Sequence, residues 1–99
     1  MAAKPVAIHP AALAELRSAI LWYLERNETA AFNFAVEVDR AVALVVQSPA
    51  RWPAGERGTR KFVLQRFPFA IVYRELADSI QVLAVAHGRR RPGYWQDRL

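Results

Sequence analysis

The chain has 99 residues, 54% of them apolar, and it contains no cysteine. A chain of this size forms one small core, so we predict a single domain over residues 1–99. The lack of cysteine excludes disulfides, thiolate zinc sites and a cysteine nucleophile, and it suits the reducing cytoplasm, where we expect the protein to act. No apolar run approaches the ~20 residues that span a bilayer, so we expect no membrane segment.

The net charge of +5 is unevenly distributed along the chain. Residues 1–50 carry four basic and five acidic side chains, a net charge of −1, whereas residues 51–99 carry ten basic and four acidic ones, a net charge of +6. Such asymmetry is typical of a surface that meets a polyanion or an acidic protein. A basic surface that is merely solvated has the same composition, so charge alone leaves both interpretations open.

The start of the chain predicts a short strand followed by a helix. Val6 and Ile8 alternate with their neighbours, and Pro10 both stops the strand and favours the first turn of a helix, which we place at about 10–26. Apolar residues recur there at helical spacing. Trp22 is the exception, because it falls on the polar side of the helix.

A second helix and an irregular loop follow. Asn27 or Thr29 can cap this helix by accepting a hydrogen bond from its first turn, and Pro49 ends it. Residues 48–58 contain several prolines and glycines and predict a loop. We expect Trp52 to anchor that loop to the core.

After the loop the apolar period changes to two, which predicts strands at 59–66, 69–75 and 80–87. Short turns join them, so we expect an antiparallel meander. The segment 82–86 is apolar on both faces, and we therefore place the last strand in the centre of the sheet. The predicted fold is α+β with the order β-α-α-β-β-β, a helical hairpin packed on a small antiparallel sheet.

Several short motifs occur in order along nearly the whole chain. They are His9-Pro10-Ala11, Trp22-Tyr23, Ser48-Pro49, Arg60, the run from Phe67 to Arg74, the run from Val82 to His87, and the run from Arg89 to Trp95. Each motif alone is unspecific. Together they make the chain resemble the RelE/ParE toxin superfamily of bacterial type II toxin–antitoxin systems, which includes plasmid stabilisation proteins. The resemblance implies the same element order, growth inhibition, and neutralisation by a cognate antitoxin.

This superfamily contains two activities. RelE-like members cut messenger RNA on the ribosome, whereas ParE-like members poison DNA gyrase without chemistry of their own. RelE-like nucleases carry an arginine early in the middle meander strand, a second arginine after the last strand, and a tyrosine in the tail. The first position is Ala70 here, the second is Arg89, and the third is Tyr94 or Trp95. Because Ala70 cannot bind a phosphate, we favour a ParE-like toxin, with a RelE-like endoribonuclease as the alternative.

The candidate catalytic residues are His87, Arg89 and Tyr94. Cutting RNA with its own 2′-hydroxyl needs a base, a cation on the phosphate and an acid for the leaving oxygen, and these three side chains could supply them. A histidine at the end of a central strand is also typical of a hydrogen-bonded structural residue, so its role stays open.

The candidate target-binding residues are cations and one aromatic residue of the second half: Arg60, Lys61, Arg66, Arg89, Arg90, Arg91 and Trp95. Arginines beside aromatics suit nucleic acids and protein interfaces alike. The tail aromatics could equally close the edge of the core, and the arginines could be a solvated charge run. Trp22 is a further contact candidate, or it packs on the tail.

We expect no metal and no cofactor, since the two histidines have no carboxylate cluster beside them at ligand spacing. A third interpretation, a nucleic-acid-binding module without toxicity, explains the charge but not the motifs. The core is thin for a stable domain, so we also expect a bound antitoxin to stabilise the chain.

Overall fold

The computed structural model describes residues 3–99, and Met1 and Ala2 lie outside it. Its helices and strands are β1 (Val6–Ile8), α1 (Pro10–Leu24), α2 (Glu28–Gln47), β2 (Thr59–Val63), β3 (Phe69–Glu75) and β4 (Ile80–His87), with short 3-10 helices at Glu56–Gly58 and Gln96–Arg98. The α+β class and the order β-α-α-β-β-β are confirmed. In residues 3–99 no helix is both long and apolar enough to cross a membrane.

Both helices begin where a side chain accepts a hydrogen bond from the first turn. Before α1, Nδ1 of His9 accepts from the backbone N–H of Ala11 at 3.0 Å. Before α2, the side chain of Asn27 accepts from the backbone N–H of Ala30 at 3.1 Å. These donors have no partner inside the helix, so the two side chains fix where each helix starts.

The four strands form one sheet in the order β1-β4-β3-β2. The meander of β2, β3 and β4 is antiparallel as predicted, and β4 is a central strand. The sheet is mixed, however, and not purely antiparallel, because β1 pairs with β4 in parallel and places Ile8 beside Val82. A strand of three residues carries too short a pattern to indicate the direction of its neighbour.

The predicted strand 59–66 is too long, because β2 ends at Val63. The carboxylate of Glu37 on α2 accepts hydrogen bonds from the backbone N–H groups of Gln65 at 2.8 Å and Arg66 at 3.2 Å. Those two donors therefore face a helix instead of a strand, and the chain turns towards β3.

The helical hairpin covers one face of the sheet. Phe34 of α2 is fully buried, and its ring centre lies 5.1–5.2 Å from those of Tyr23, Phe67 and Phe69. The buried residues of this cluster are Ala12, Ala19, Phe34, Val38, Ala41, Leu64, Ile71, Val82 and Val85. They come from both helices and from the strands, so the helix side holds the main core.

A smaller apolar cluster anchors the loop that follows α2. Trp52 packs against Val45, Tyr73 and Ile80, and its ring centre lies 4.4 Å from that of Phe62. The hydroxyl of Tyr73 donates a hydrogen bond to the backbone carbonyl of Pro49 at 2.6 Å. The prediction that Trp52 anchors this loop to the core is thus confirmed.

The C-terminal tail covers the opposite face of the sheet. Tyr73 of β3 pairs with Val82 of β4, and Val72 of β3 pairs with Ala84, so Leu83 is an extra residue on β4 and forms a β-bulge. The bulge brings Leu83 and Ala84 into one cluster, in which Val72, Leu83 and Ala84 contact Tyr94, Trp95 and Leu99. The tail aromatics therefore close the core, as one of the two interpretations predicted.

Candidate functional site

A mainly apolar groove of about 570 Å³ lies between α1 and the ends of β3 and β4, and we call it the α1 groove. Helix α1 contributes Trp22 and Tyr23, the strand ends contribute Phe69 and His87, and the tail contributes Arg90 and Tyr94. Trp22 is 52% exposed, and the guanidinium of Arg26 stacks on its ring at 3.7 Å. An exposed tryptophan on the wall of an apolar groove is typical of a contact surface.

A second groove, of about 530 Å³, runs over the tail side of the sheet, and we call it the sheet groove. Lys61 of β2 lies along it, together with Arg90, Arg91 and Trp95 of the tail. His87, Arg90 and Tyr94 line both grooves. The basic segment Arg89–Arg91 is exposed and borders both of these surfaces.

The other predicted target-binding cations lie elsewhere. Arg60 is half-buried, and its guanidinium donates a hydrogen bond to the backbone carbonyl of Trp52 at 2.7 Å. Arg66 borders a polar cleft beside α2 with Glu37 and Arg40. The sheet groove therefore brings together Lys61, Arg90, Arg91 and Trp95, and Arg60 lines a further cleft with Lys61 and Trp95, while Arg66 and Arg89 lie outside both.

His87 is a hydrogen-bonded residue at the end of β4. Its Nδ1 accepts from the backbone N–H of Arg89 at 3.0 Å, and its ring meets the ring of Phe69 edge-on at 5.0 Å. His87 thus makes a local hydrogen bond and a ring contact, and its ring lines both grooves.

The hydroxyl of Tyr94 donates a hydrogen bond to Oε2 of Glu15 at 2.7 Å. Burial and this hydrogen bond raise the pKa of Tyr94 to about 12, so the proton is held firmly at neutral pH. Arg89, the third candidate catalytic residue, lies outside the lining of both grooves. Of the three candidates, His87 and Tyr94 therefore share the lining of both grooves, and Arg89 does not.

Ala70, where a RelE-like nuclease carries an arginine, is buried on β3 opposite Ala86. It lies along the sheet groove, where the nearby cations are Lys61, Arg90 and Arg91. Within residues 3–99, no three His, Cys, Asp or Glu side chains are grouped so that they could hold a metal ion.

Sequence reasoning missed Glu15, a residue of α1. Its Oε1 accepts from Arg98 at 2.9 Å and from the backbone N–H of Val85 at 3.1 Å, and its Oε2 accepts from Tyr94 at 2.7 Å and Arg98 at 3.0 Å. Burial raises the pKa of Glu15, but the hydrogen bonds from Arg98, Tyr94 and Val85 outweigh it and leave the pKa below its ordinary value. The partners lie 70 to 83 residues away, so no local pattern indicates them.

The comparison with protein families identifies the chain. The model of the ParE toxin of type II toxin–antitoxin systems (parDE) matches residues 6–92. This chain belongs to the ParE toxin family. The predicted superfamily and the ParE-like interpretation are thereby confirmed, and an antitoxin is the partner that such a system implies. The match ends before Gly93, so the tail that covers the sheet lies beyond it.

A solved structure has the same fold. It is described as the chromosomal ParDE TA system from P. aeruginosa, and it matches with a TM-score of 0.74 at 20% sequence identity, over 85% of this chain and 95% of that one. At this identity the likeness concerns the fold alone. A comparison with curated protein sequences finds no match.

Proposed function

We propose that this ParE-family toxin inhibits growth by binding a target such as DNA gyrase, and that its cognate antitoxin neutralises it by binding. The observation that carries the proposal is the exposed segment Arg89–Arg91, which borders two apolar grooves. Cations beside exposed aromatic residues are typical of protein interfaces, in which Arg, Tyr and Trp contribute most of the affinity. We propose that Lys61, Trp22 and this segment contact the target.

The polar groups around the grooves support binding rather than chemistry. The hydroxyl of Tyr94 donates its hydrogen bond to Glu15, and its pKa of about 12 makes it a poor acid near neutral pH. The buried Ala70 supplies no cation for a phosphate. A protein that only binds its target needs none of these roles.

One observation favours the alternative, a RelE-like ribosome-dependent endoribonuclease. The sheet groove gathers His87 with Lys61, Arg90 and Arg91, which is a base beside cations that could replace the missing arginine. In this alternative His87 takes the proton of the RNA 2′-hydroxyl.

Two assays with the purified toxin separate the targets. We expect the toxin to inhibit supercoiling by DNA gyrase and to leave ribosome-bound mRNA uncut. His87→Ala should keep most of its effect on gyrase, whereas a nuclease that uses His87 as its base should lose roughly 10²–10⁴ in rate. Cleavage of mRNA that His87→Ala abolishes would overturn the proposal in favour of the alternative.

The contact surface is tested by removing charge in matched positions. Replacing Arg89, Arg90 and Arg91 together with alanine should abolish growth inhibition while the fold stays intact. The control replaces Arg17, Arg40 and Arg51, which are exposed but outside both grooves, and it removes the same charge. Equal loss of toxicity in both triple variants would show that net charge, and not this surface, matters.

A further inference from the structure

The outer edge of β4 loses its neighbouring strand part-way along. β1 ends at Ile8, beside Val82, and the backbone N–H of His9 donates to the carbonyl of Val82 at 2.9 Å. β4 continues for five residues beyond Val82, to His87. The backbone groups that follow on this edge, next to the bulge at Leu83, need other partners.

Two side chains take the place of the missing strand. The carboxylate of Glu15 accepts from the backbone N–H of Val85, and the guanidinium of Arg98 donates to the carbonyl of Leu83 at 2.9 Å. Glu15 and Arg98 also form a bidentate ion pair, in which their side chains are only 17% and 13% exposed. A charged pair of this geometry is strong and directional, so it fixes the tail against α1 and β4 together.

The same carboxylate fixes the hydroxyl end of the Tyr94 ring, whose face packs on the apolar cluster of the sheet. Its hydrogen bond to the hydroxyl holds the ring at the boundary of the two grooves. The guanidinium of Arg90 stacks on this ring at 3.9 Å, a cation–π contact. The side chains of Arg89 and Arg91, by contrast, make no hydrogen bond, ion pair or ring contact with any group in residues 3–99.

We infer that Glu15 is a positioning residue: through Tyr94 it holds Arg90 at the α1 groove, as the one preorganised cation of the basic segment. A partner that places a carboxylate beside an apolar side chain in this groove meets a cation already in place, so less side-chain freedom is lost on binding. The consequence for binding rests on the proposed function, whereas the positioning itself does not. Tyr94 and Arg98 lie beyond the segment that the ParE family model matches.

The positioning is tested by nuclear magnetic resonance on the full chain, without a ligand. Protons of a side chain stacked on an aromatic ring are shifted upfield by the ring current. We expect this shift at the Arg90 side chain but not at Arg89 or Arg91, which serve as internal references. In Glu15→Gln we expect the Arg90 shift to fall to the reference values, because an amide places a donor where the carboxylate accepts from Tyr94 and Arg98.

Three further variants keep this test decisive. Tyr94→Leu removes the ring and should abolish the Arg90 shift although Glu15 is intact. Tyr94→Phe keeps the ring but loses the hydrogen bond to Glu15, and it should give an intermediate Arg90 shift. This second variant tests the inference even if Glu15→Gln folds poorly. Glu37→Gln is the matched control, because Glu37 also accepts backbone hydrogen bonds but lies outside both grooves, and it should change nothing at Arg90. An unchanged Arg90 shift in folded Glu15→Gln would overturn the inference, and so would equal shifts at all three arginines.

Growth inhibition tests the consequence. Arg90→Ala and Glu15→Gln should each raise the toxin level needed for growth arrest, by roughly threefold to tenfold, and the double variant should be no worse than Arg90→Ala. Combining Glu15→Gln with Arg91→Ala should instead multiply the two losses. If the losses of growth inhibition multiply in both double variants, Glu15 only stabilises the fold. If the unaltered toxin does not arrest growth, the proposed function fails, and the Arg90 shifts alone decide whether Glu15 positions this cation.

Discussion

The two faces of the sheet are covered by different means. On the helix side, two helices of 15 and 20 residues bury a cluster centred on Phe34. On the tail side, a short segment lays Tyr94, Trp95 and Leu99 on the sheet, and the polar contacts around Glu15 hold it there. The helix cover rests on a large apolar area, whereas the tail cover adds the hydrogen bonds of one carboxylate to a small apolar cluster.

This difference predicts how each face responds to change. Apolar stabilisation grows with the buried area and is shared among many residues, so the helix side should lose free energy in proportion to the volume removed. The tail side concentrates four hydrogen bonds on Glu15, and removing an acceptor leaves buried donors without partners. A change at Glu15 should therefore free the tail while the helix side stays folded.

The largest effect should come from Phe34→Ala on the helix side. Phe34 is fully buried among aromatic rings, and truncation of such a residue costs about 3–5 kcal/mol, a large part of the ~5–15 kcal/mol that holds a typical domain together. Urea denaturation followed by circular dichroism measures the loss. Phe32→Ala on the same helix is the matched control, because Phe32 is 68% exposed and should change the free energy of unfolding by at most about 0.5 kcal/mol. Similar losses in both would contradict the assigned core.

Glu15→Ala should have the next largest effect, about 1.5–3 kcal/mol, the range for hydrogen bonds to a charged group. We expect chymotrypsin to cut the variant at Tyr94 or Trp95 while residues 3–87 resist cleavage, because the tail opens before the helix side does. Glu25→Ala provides the comparison, because Glu25 forms an exposed ion pair with Arg26 at 3.7 Å, which is worth ~0–1 kcal/mol. A protected tail in Glu15→Ala would mean that apolar contacts alone hold it.

The contrast between the faces also explains how far the sequence predicts the fold. The helix side could be predicted because its residues repeat with the period of a helix or a strand: β3 and β4 have the predicted bounds, and Asn27 caps α2 as one of two predicted residues. The wrong details depend on long-range contacts. β2 ends early because Glu37 on α2 binds the backbone N–H groups of Gln65 and Arg66. The parallel pairing of β1 with β4 joins segments that are distant in the sequence.

The candidate site was predicted less completely, for the same reason. Composition and motifs located the basic segment and the tail aromatics, and the structure gathers Arg90, Arg91, Lys61 and Trp95 around the sheet groove. Neither the bulge at Leu83 nor the contacts of Glu15 has a periodic signal, because a carboxylate on the polar side of a helix resembles a solvated one.

The difference in alkaline stability between Tyr94→Phe and the unaltered protein should report on the tail side. Burial and the hydrogen bond to Glu15 raise the pKa of Tyr94 from an ordinary value near 10 to about 12. The protonated hydroxyl therefore adds its full share to the free energy of unfolding below the pKa of the unfolded chain, and this share is lost as the pH rises through the pKa of the folded protein. Tyr94→Phe should therefore be less stable than the unaltered protein at neutral pH but lose less between about pH 10 and 12. Tyr23 and Tyr73, whose pKa values are also raised by burial, remain in both proteins and act as the internal control. Parallel losses of unfolding free energy over this range would show that Tyr94 is not held by the carboxylate.

The smallest effects should come from the basic segment, which contacts the tail cover through Arg90. Arg89→Ala and Arg91→Ala should each change the free energy of unfolding by at most about 0.5 kcal/mol, because exposed charges away from structural contacts contribute little. Arg90→Ala should cost slightly more, about 0.5–1 kcal/mol, since its guanidinium stacks on the ring of Tyr94 at 3.9 Å and an exposed cation–π contact has that value.

Urea denaturation of the three single variants, at low and at high salt, separates this ring contact from plain charge repulsion. Screening shortens the reach of charges to a few ångströms at ~1 M salt, so relief of repulsion among the three arginines should disappear there, whereas a stack in direct contact should persist. If Arg90→Ala changes the free energy of unfolding as little as Arg89→Ala and Arg91→Ala at both salt concentrations, the stack on Tyr94 contributes nothing to stability, and Arg90 is not part of the tail cover.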